Sequence, residues 1–184
     1  VADPVNVATG SFSYTCQDIL IPGRGLNLEF TRYYQSVNKT PGPLGWGWSH
    51  KYSAYLKEVA SADHEYLIRA NPDGSRDKFT LNPDGTYIPP QGCYDTLVKG
   101  EDSYVITDKH QFRTTYSLNG QLLSLTDRSG NTLNLSYDSL GRPILIADTQ
   151  GRSLAIVYNS RNKIVKITDQ SAREFTYDYD DDQN

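Results

Sequence analysis

The sequence predicts an all-β protein in which antiparallel hairpins stack into a curved, open sheet. Three observations carry that expectation. A period of 21 residues runs through the C-terminal part, marked by Tyr116, Tyr137, Tyr158 and Tyr179. The segments between its turn residues alternate apolar and polar positions, the signature of half-buried strands. The composition is rich in tyrosine, with 14 Tyr, 5 Phe and 2 Trp among 184 residues. Tyrosine favours strands and is amphipathic, so it can cover a partly wet sheet. With 37% hydrophobic and 22% charged residues the chain is polar, yet this aromatic content rules out a solvated linker.

In chain order, Asp3-Pro4-Val5-Asn6-Val7-Ala8-Thr9-Gly10 opens with turn chemistry and an alternating stretch. Pro22-Gly23-Arg24-Gly25 signals a turn. The segment Leu26-Asn27-Leu28-Glu29-Phe30-Thr31-Arg32-Tyr33-Tyr34 behind it alternates as a strand. Gly42-Pro43-Leu44-Gly45-Trp46-Gly47-Trp48-Ser49-His50 follows, and a further strand is expected around Tyr52 to Leu56. Asn71-Pro72-Asp73-Gly74 and Asn82-Pro83-Asp84-Gly85 place Pro at the second turn position with Asp-Gly after it, which specifies turns between short strands. The stretch Tyr87 to Gly92, with Pro89-Pro90, is expected to be a boundary or an exposed loop. Three regions result: 1–60 without the period, 61–107 as connecting hairpins, and 108–184 as the repeat.

Within the repeat, Asp127, Asp148 and Asp169 keep the same interval, as do Gly120, Gly141 and Asn162, and Gly130, Gly151 and Ala172. Apolar columns follow: Leu123, Ile144 and Val165; Leu125, Ile146 and Ile167; Phe112, Leu133, Leu154 and Phe175. Each period holds two strands and two turns. Asp accepts hydrogen bonds from nearby backbone amides, and Gly takes the positive φ that a tight turn requires. Asn162 suits that conformation, whereas a left-handed Ala172 costs about 1 kcal/mol, so the last turn is expected to differ in shape. A single hairpin cannot bury its apolar face, so such units stack.

The pattern Tyr-Asp-x-x-Gly-Arg, then apolar residues, then Asp-x-x-Gly-Asn/Arg resembles the YD repeat of Rhs-type proteins, which insecticidal toxin C components and teneurins share. Tyr137-Asp138-Ser139-Leu140-Gly141-Arg142 matches it best. Tyr116-Ser117-Leu118-Asn119-Gly120-Gln121 and Tyr158-Asn159-Ser160-Arg161-Asn162-Lys163 are degenerate versions. Asp-Pro-Val-Asn-Val-Ala-Thr-Gly, Pro-Gly-Arg-Gly-Leu, Phe-Thr-Arg-Tyr-Tyr and Gly-Pro-Leu-Gly-Trp-Gly-Trp are similar to the domain that precedes the YD array in bacterial Rhs and wall-associated polymorphic toxins. The resemblance implies a secreted or cell-surface bacterial protein whose repeats wind into a hollow β-shell around a toxic C-terminal cargo. The N-terminal domain would cap one end. The implied partner is the remainder of a longer chain, with further repeats and the cargo. The lack of any Met carries the same expectation of an excised piece.

Charge and motifs exclude several functions. The net charge is −4 with no concentrated Lys/Arg stripe, so no nucleic-acid partner is expected. No apolar run reaches about 18 residues, so no membrane span is expected. His50, His64 and His110 sit in no metal or nucleophile motif. Ser49 and His50 are neighbours on a strand and should point to opposite faces, whereas a triad needs convergence. The acidic run Asp180-Asp181-Asp182 lacks the spacing of a calcium loop. Turn capping accounts for Asp127, Asp148 and Asp169, where a glycosidase would need two facing carboxylates. No catalytic residue, cofactor or metal is therefore expected. Cys16 and Cys93 leave open one disulfide or two buried thiols. Trp46 and Trp48, two apart, are expected to share one face of a strand. They would either pack in the core or form a stacking platform for a cell-surface glycan. The exposed edges of an open sheet predict self-association.

Overall fold

The computed structural model describes residues 5–6, 10–60 and 65–180. Asp3, Pro4, Val7 to Thr9, His64, Asp181 and Asp182 lie outside the described residues. The described chain is all-β and antiparallel, with no helix and no closed barrel.

The N-terminal strands are β1 (Val5–Asn6), β2 (Ser11–Ile21) and β3 (Leu28–Gln35). A small ribbon of β4 (Pro41–Gly42) and β5 (Gly45–Trp46) follows, and β6 (Trp48–His50) returns to give the order β1-β2-β3-β6. The strand expected from Tyr52 begins later. Lys51 and Tyr52 form a turn, held by the Tyr52 hydroxyl on the Glu29 carbonyl at 2.7 Å. A second sheet contains β7 (Tyr55–Ala60), β8 (Glu65–Ala70), β9 (Arg76–Leu81) and β10 (Tyr87–Ile88). A nine-stranded meander completes the chain. Its strands are β11 (Thr96–Lys99), β12 (Ser103–Thr107), β13 (Arg113–Ser117), β14 (Leu122–Thr126), β15 (Thr132–Tyr137), β16 (Pro143–Asp148), β17 (Ser153–Tyr158), β18 (Ile164–Asp169) and β19 (Glu174–Thr176). The sheet that carries the repeat thus starts at Thr96, and the position 107/108 falls inside it.

One turn builds most of these hairpins. At Asn71, Asn82, Asp108, Ser117, Asp127, Asp138, Asp148, Asn159 and Asp169 the first residue's amide bonds to the carbonyl four residues on. The amide of the residue three on bonds back to the first residue's carbonyl. That fourth residue is left-handed throughout: Gly in most copies, but Gln111, Asn162 and Ala172 in three. This is the three-residue hairpin loop with a left-handed closing residue. Ala172, at φ 59°, adopts the same turn as the glycines, contrary to the expected change of shape.

The odd period has a structural cause. Tyr116 pairs with Leu122 while Thr115 pairs with Ser124, which leaves Leu123 as an extra residue. Ile144 and Val165 are skipped in the same way opposite Tyr137 and Tyr158. Paired strands alternate faces with period two, so an uninterrupted ladder with identical turns would place successive 21-residue copies on opposite faces. One bulge per unit restores the face. The apolar column Leu123, Ile144 and Val165 is therefore the bulged position, and Leu122 and Ile164 are the residues buried beside the tyrosines.

Pairing runs along rows that do not coincide with the period. Leu135 pairs with Ile146 and Ile146 with Leu154, 19 residues on from Leu135 by residue number. Ile156, Ile167 and Phe175 form the next row with the same step. Equivalent positions thus slide two residues along the strands per hairpin. These rows form one face of the meander, and a single core joins them to Ile19, Ile21, Leu28 and Phe30 of β2 and β3 and to Leu56, Leu67 and Phe79 of the second sheet.

Candidate functional site

The repeated chemistry sits on the two rows of turns. Tyr137 and Tyr158 end their strands, Tyr179 lies just past the last one, and all three reach across to the strand before. The Tyr158 hydroxyl donates to the Pro143 carbonyl at 3.0 Å and Tyr179 to the Ile164 carbonyl at 2.6 Å, each fifteen residues back. Tyr137 donates to Leu122 in the same relation. Tyr116 is buried at the head of the column. Burial pushes the Tyr116 and Tyr179 phenols up to about 12, and raises those of Tyr137 and Tyr158 further. Tyr137, Tyr158 and Tyr179 are therefore neutral donors that tie each hairpin to the one before it.

The turn acids act as caps. Asp138 accepts from the amides of Leu140 and Arg142 at 3.0 and 2.9 Å, and its second oxygen takes the Arg142 guanidinium. Asp148 with Arg152 and Asp169 with Arg173 repeat the arrangement. Asp127 uses Asn131 instead. For Asp138 the backbone bond from Arg142 leads in holding the carboxyl below its ordinary range. Gly130, Gly141 and Gly151 supply the left-handed closing residue of these turns.

The two N-terminal sheets dock on the meander, the first reaching one row of turns and the second, through β7, the other. On one side Arg152 donates to the Pro22 carbonyl. On the other side Leu56 donates to the Gly120 carbonyl at 2.8 Å, where a Cβ on Gly120 would run into the Leu56 carbonyl. The loop at Pro41–Pro43 seats further along: Ile164 donates to Pro43 at 2.8 Å, Lys163 to Gly42 at 2.9 Å, and Tyr179 to Pro43 at 3.2 Å. Asp18 ties the last hairpin down, accepting from Tyr177 at 2.8 Å and Arg32 at 2.8 Å. Burial opposes ionisation of Asp18, but these bonds and the Arg32 charge outweigh it and hold the carboxyl low.

A cleft of about 670 Å³ opens between the loop, the turn at Asp138–Arg142 and the turn at Asn159–Lys163. Its walls include Tyr55, Leu140, Arg142, Arg161 and Lys163. His50 closes its floor, stacked on Phe30 with ring centroids 5.3 Å apart. Ser49 points away from His50, to the carbonyls of Pro72 and Tyr33. Among the described residues no group of three or more His, Cys, Asp or Glu side chains could hold a metal.

Trp46 and Trp48 do not share a strand face. Trp46 ends β5 with 46% of its surface exposed, Gly47 at φ 74° turns the chain, and Trp48 begins β6. There Trp48 packs against Tyr34 at 5.2 Å under the Arg32 guanidinium. Positive φ at the intervening glycine breaks the alternation that the two-residue spacing had implied. Cys16 and Cys93 are both free thiols, and Cys16 donates to Asp18 at 3.3 Å.

Comparison with known proteins agrees with this organisation. The domain of unknown function DUF6531 matches residues 2–79 and the RHS Repeat matches residues 116–153. The tRNA nuclease WapA of Bacillus subtilis (strain 168) and the tRNA3(Ser)-specific nuclease WapA of Bacillus spizizenii are each 30% identical over 135 residues. Those matches cover 73% of this chain but 6% of each relative. The turn-capping acids, the tyrosine column and these matches together place the chain in the Rhs/YD-repeat family.

Proposed function

We propose that this chain is a stretch of scaffold: the cap and first repeats of a hollow β-shell that encloses a C-terminal toxin or effector in a secreted or cell-surface bacterial protein. The two-residue slide per hairpin carries the reading. One residue of stagger per strand is the ratio of an eight-stranded barrel of shear eight, whose strands tilt by about 36°. A meander built at that ratio coils as it grows, which suits a wall. The apolar face shares one core with the two N-terminal sheets, as suits a closed end. The chain's role is non-enzymatic. The activity in the relatives' names is not assigned to it, since the match covers 6% of their length.

Electron microscopy of the longer protein should show a closed shell, and protease should leave its C-terminal segment intact. Replacing Leu135 and Leu154 by Asp should expose that segment. An open ribbon, or a segment cleaved equally in both proteins, overturns the reading. The isolated chain should leave tRNA intact. The exposed ring of Trp46 favours a second reading, binding of a cell-surface glycan. Glycan-array signal lost in Trp46→Ala supports it, and no signal from the unaltered chain removes it.

A further inference from the structure

The three turns on the tyrosine side differ in a way that tracks their contacts. The middle turn, Asp138 to Arg142, has the full repeat pattern. Among the described residues no hydrogen bond or ion pair joins it to the N-terminal sheets, and it faces the open cleft. The two degenerate turns carry the contacts. Ser117 to Gln121 receives Leu56 at Gly120, and Asn159 to Lys163 receives the loop at Gly42 and Pro43. We infer that the departures from the repeat pattern are a docking address, which fixes the one position along the array where the N-terminal domain can sit.

The departure at the third turn removes an internal partner and supplies a new one. In the turns that begin with Asp138, Asp148 and Asp169 the fifth residue is an arginine held by the first residue's carboxylate. Asn159 has no charge to offer, so Lys163 reaches the Gly42 carbonyl instead. At the next position Ile164 donates its amide to Pro43. The equivalent residue one unit earlier is Pro143, which has no amide hydrogen. Moved back by one unit, the loop would meet a proline that cannot donate and an arginine whose Nε and Nη2 are held by Asp138 and whose Nη1 is held by Asn162. The amide bond would be lost, leaving the Pro43 carbonyl without that donor, and the Gly42 carbonyl would have to compete for an arginine already held on two sides. A perfect repeat would instead offer the same edge every 21 residues, and nothing would select among the sites. The selection holds whether or not the array goes on to enclose a cargo.

The test recodes the address within the whole chain. Asn159→Asp with Ile164→Pro gives the third turn the features of the second, and Pro143 shows that the backbone accepts proline at that place. Hydrogen–deuterium exchange read by mass spectrometry should rise at least tenfold, as an order-of-magnitude expectation, for peptides across 41–50. Peptides across 122–137 should keep their protection. Asn159→Asp alone draws Lys163 back to its own turn and should give a smaller rise in the same peptides. The reciprocal pair, Asp138→Asn with Pro143→Ile, alters a turn that among the described residues has no hydrogen bond or ion pair to the domain and should leave the 41–50 peptides protected. Unchanged exchange in both recoded third-turn variants, or an equal rise in the reciprocal variant, overturns the address.

Discussion

Lowering the pH from about 7.5 to about 5 should remove about 2 kcal/mol of stability through His50 alone. His50 is 2% exposed, its ring lies against Phe30, and its buried Nδ1 has no hydrogen-bond partner among the described residues. Arg32 pairs opposite it in register. Burial pushes the imidazole down to about 4 from an ordinary 6.5. The folded state therefore holds His50 neutral while the unfolded chain takes up a proton, so the unfolded state binds more protons between those values. Stability is complete above the unfolded value, falls with pH through the window, and stops falling below about 4, where the loss totals about 3 kcal/mol. Asp18 and the turn acids are held low and weaken only within or below the ordinary carboxylate range, so the His50 window opens first. Urea unfolding of the wild type and of His50→Phe at both pH values measures the effect. The phenyl ring keeps the stack on Phe30 and cannot titrate. Equal loss of stability in the two proteins would refute the assignment.

Gly120→Ala and Gly130→Ala both force Ala into a left-handed turn, costing about 1–2 kcal/mol. Chemical denaturation should show Gly120→Ala costing more, because its Cβ meets the Leu56 carbonyl whereas that of Gly130 meets open space. Ala172→Asn should gain about 0.5–1 kcal/mol by relieving the same strain, read as a higher denaturation midpoint. At alkaline pH the raised phenols favour the protonated fold, so stability is full below pH 10 and falls as pH rises toward about 12. The part of the tyrosinate absorbance that Tyr137→Phe and Tyr158→Phe remove should appear only with loss of the fold, and its appearance in a folded chain would contradict burial of the column.

The turns were legible because their chemistry is local: an acid or amide, two free positions and a glycine suffice to specify each one. Gln111 escaped that logic, since nothing in its side chain signals the φ of 66° that its turn demands. Ala172 was legible as a position but not in its conformation, because the neighbouring ladder and cap bonds outweigh about 1 kcal/mol of strain. The tyrosine column could be read as a spacing. Its hydrogen bonds could not, because the acceptors lie fifteen residues back on another strand. The Trp46 and Trp48 pair failed because Gly47 turns the chain between them. Contacts such as Lys163 with Gly42 span 121 residues and leave no periodic trace. Their signal was present all the same, as the missing carboxylate at Asn159.

The bulge accounts for the odd period, and single-residue deletions separate that explanation from a loose ladder. Removing Ile144 takes out the extra residue. Tyr137 still pairs with Pro143, Ser136 then pairs with Leu145 in unbroken sequence, and Ile146 keeps its place between Leu135 and Leu154. The loss is one partly exposed side chain and the local twist of the bulge, so a cost of about 1 kcal/mol is expected. Removing Asn134 from the facing strand makes Leu133 and Leu135 adjacent, and neighbours on a strand cannot share a face. One of two buried leucines must then turn to solvent, at about 2–3 kcal/mol, and the row through Ile146 loses its partner. Denaturation midpoints should therefore fall much further for the Asn134 deletion than for the Ile144 deletion. Equal losses would mean that the extra residue opposite each tyrosine does not set the register, and that the 21-residue step keeps its faces aligned by some other means.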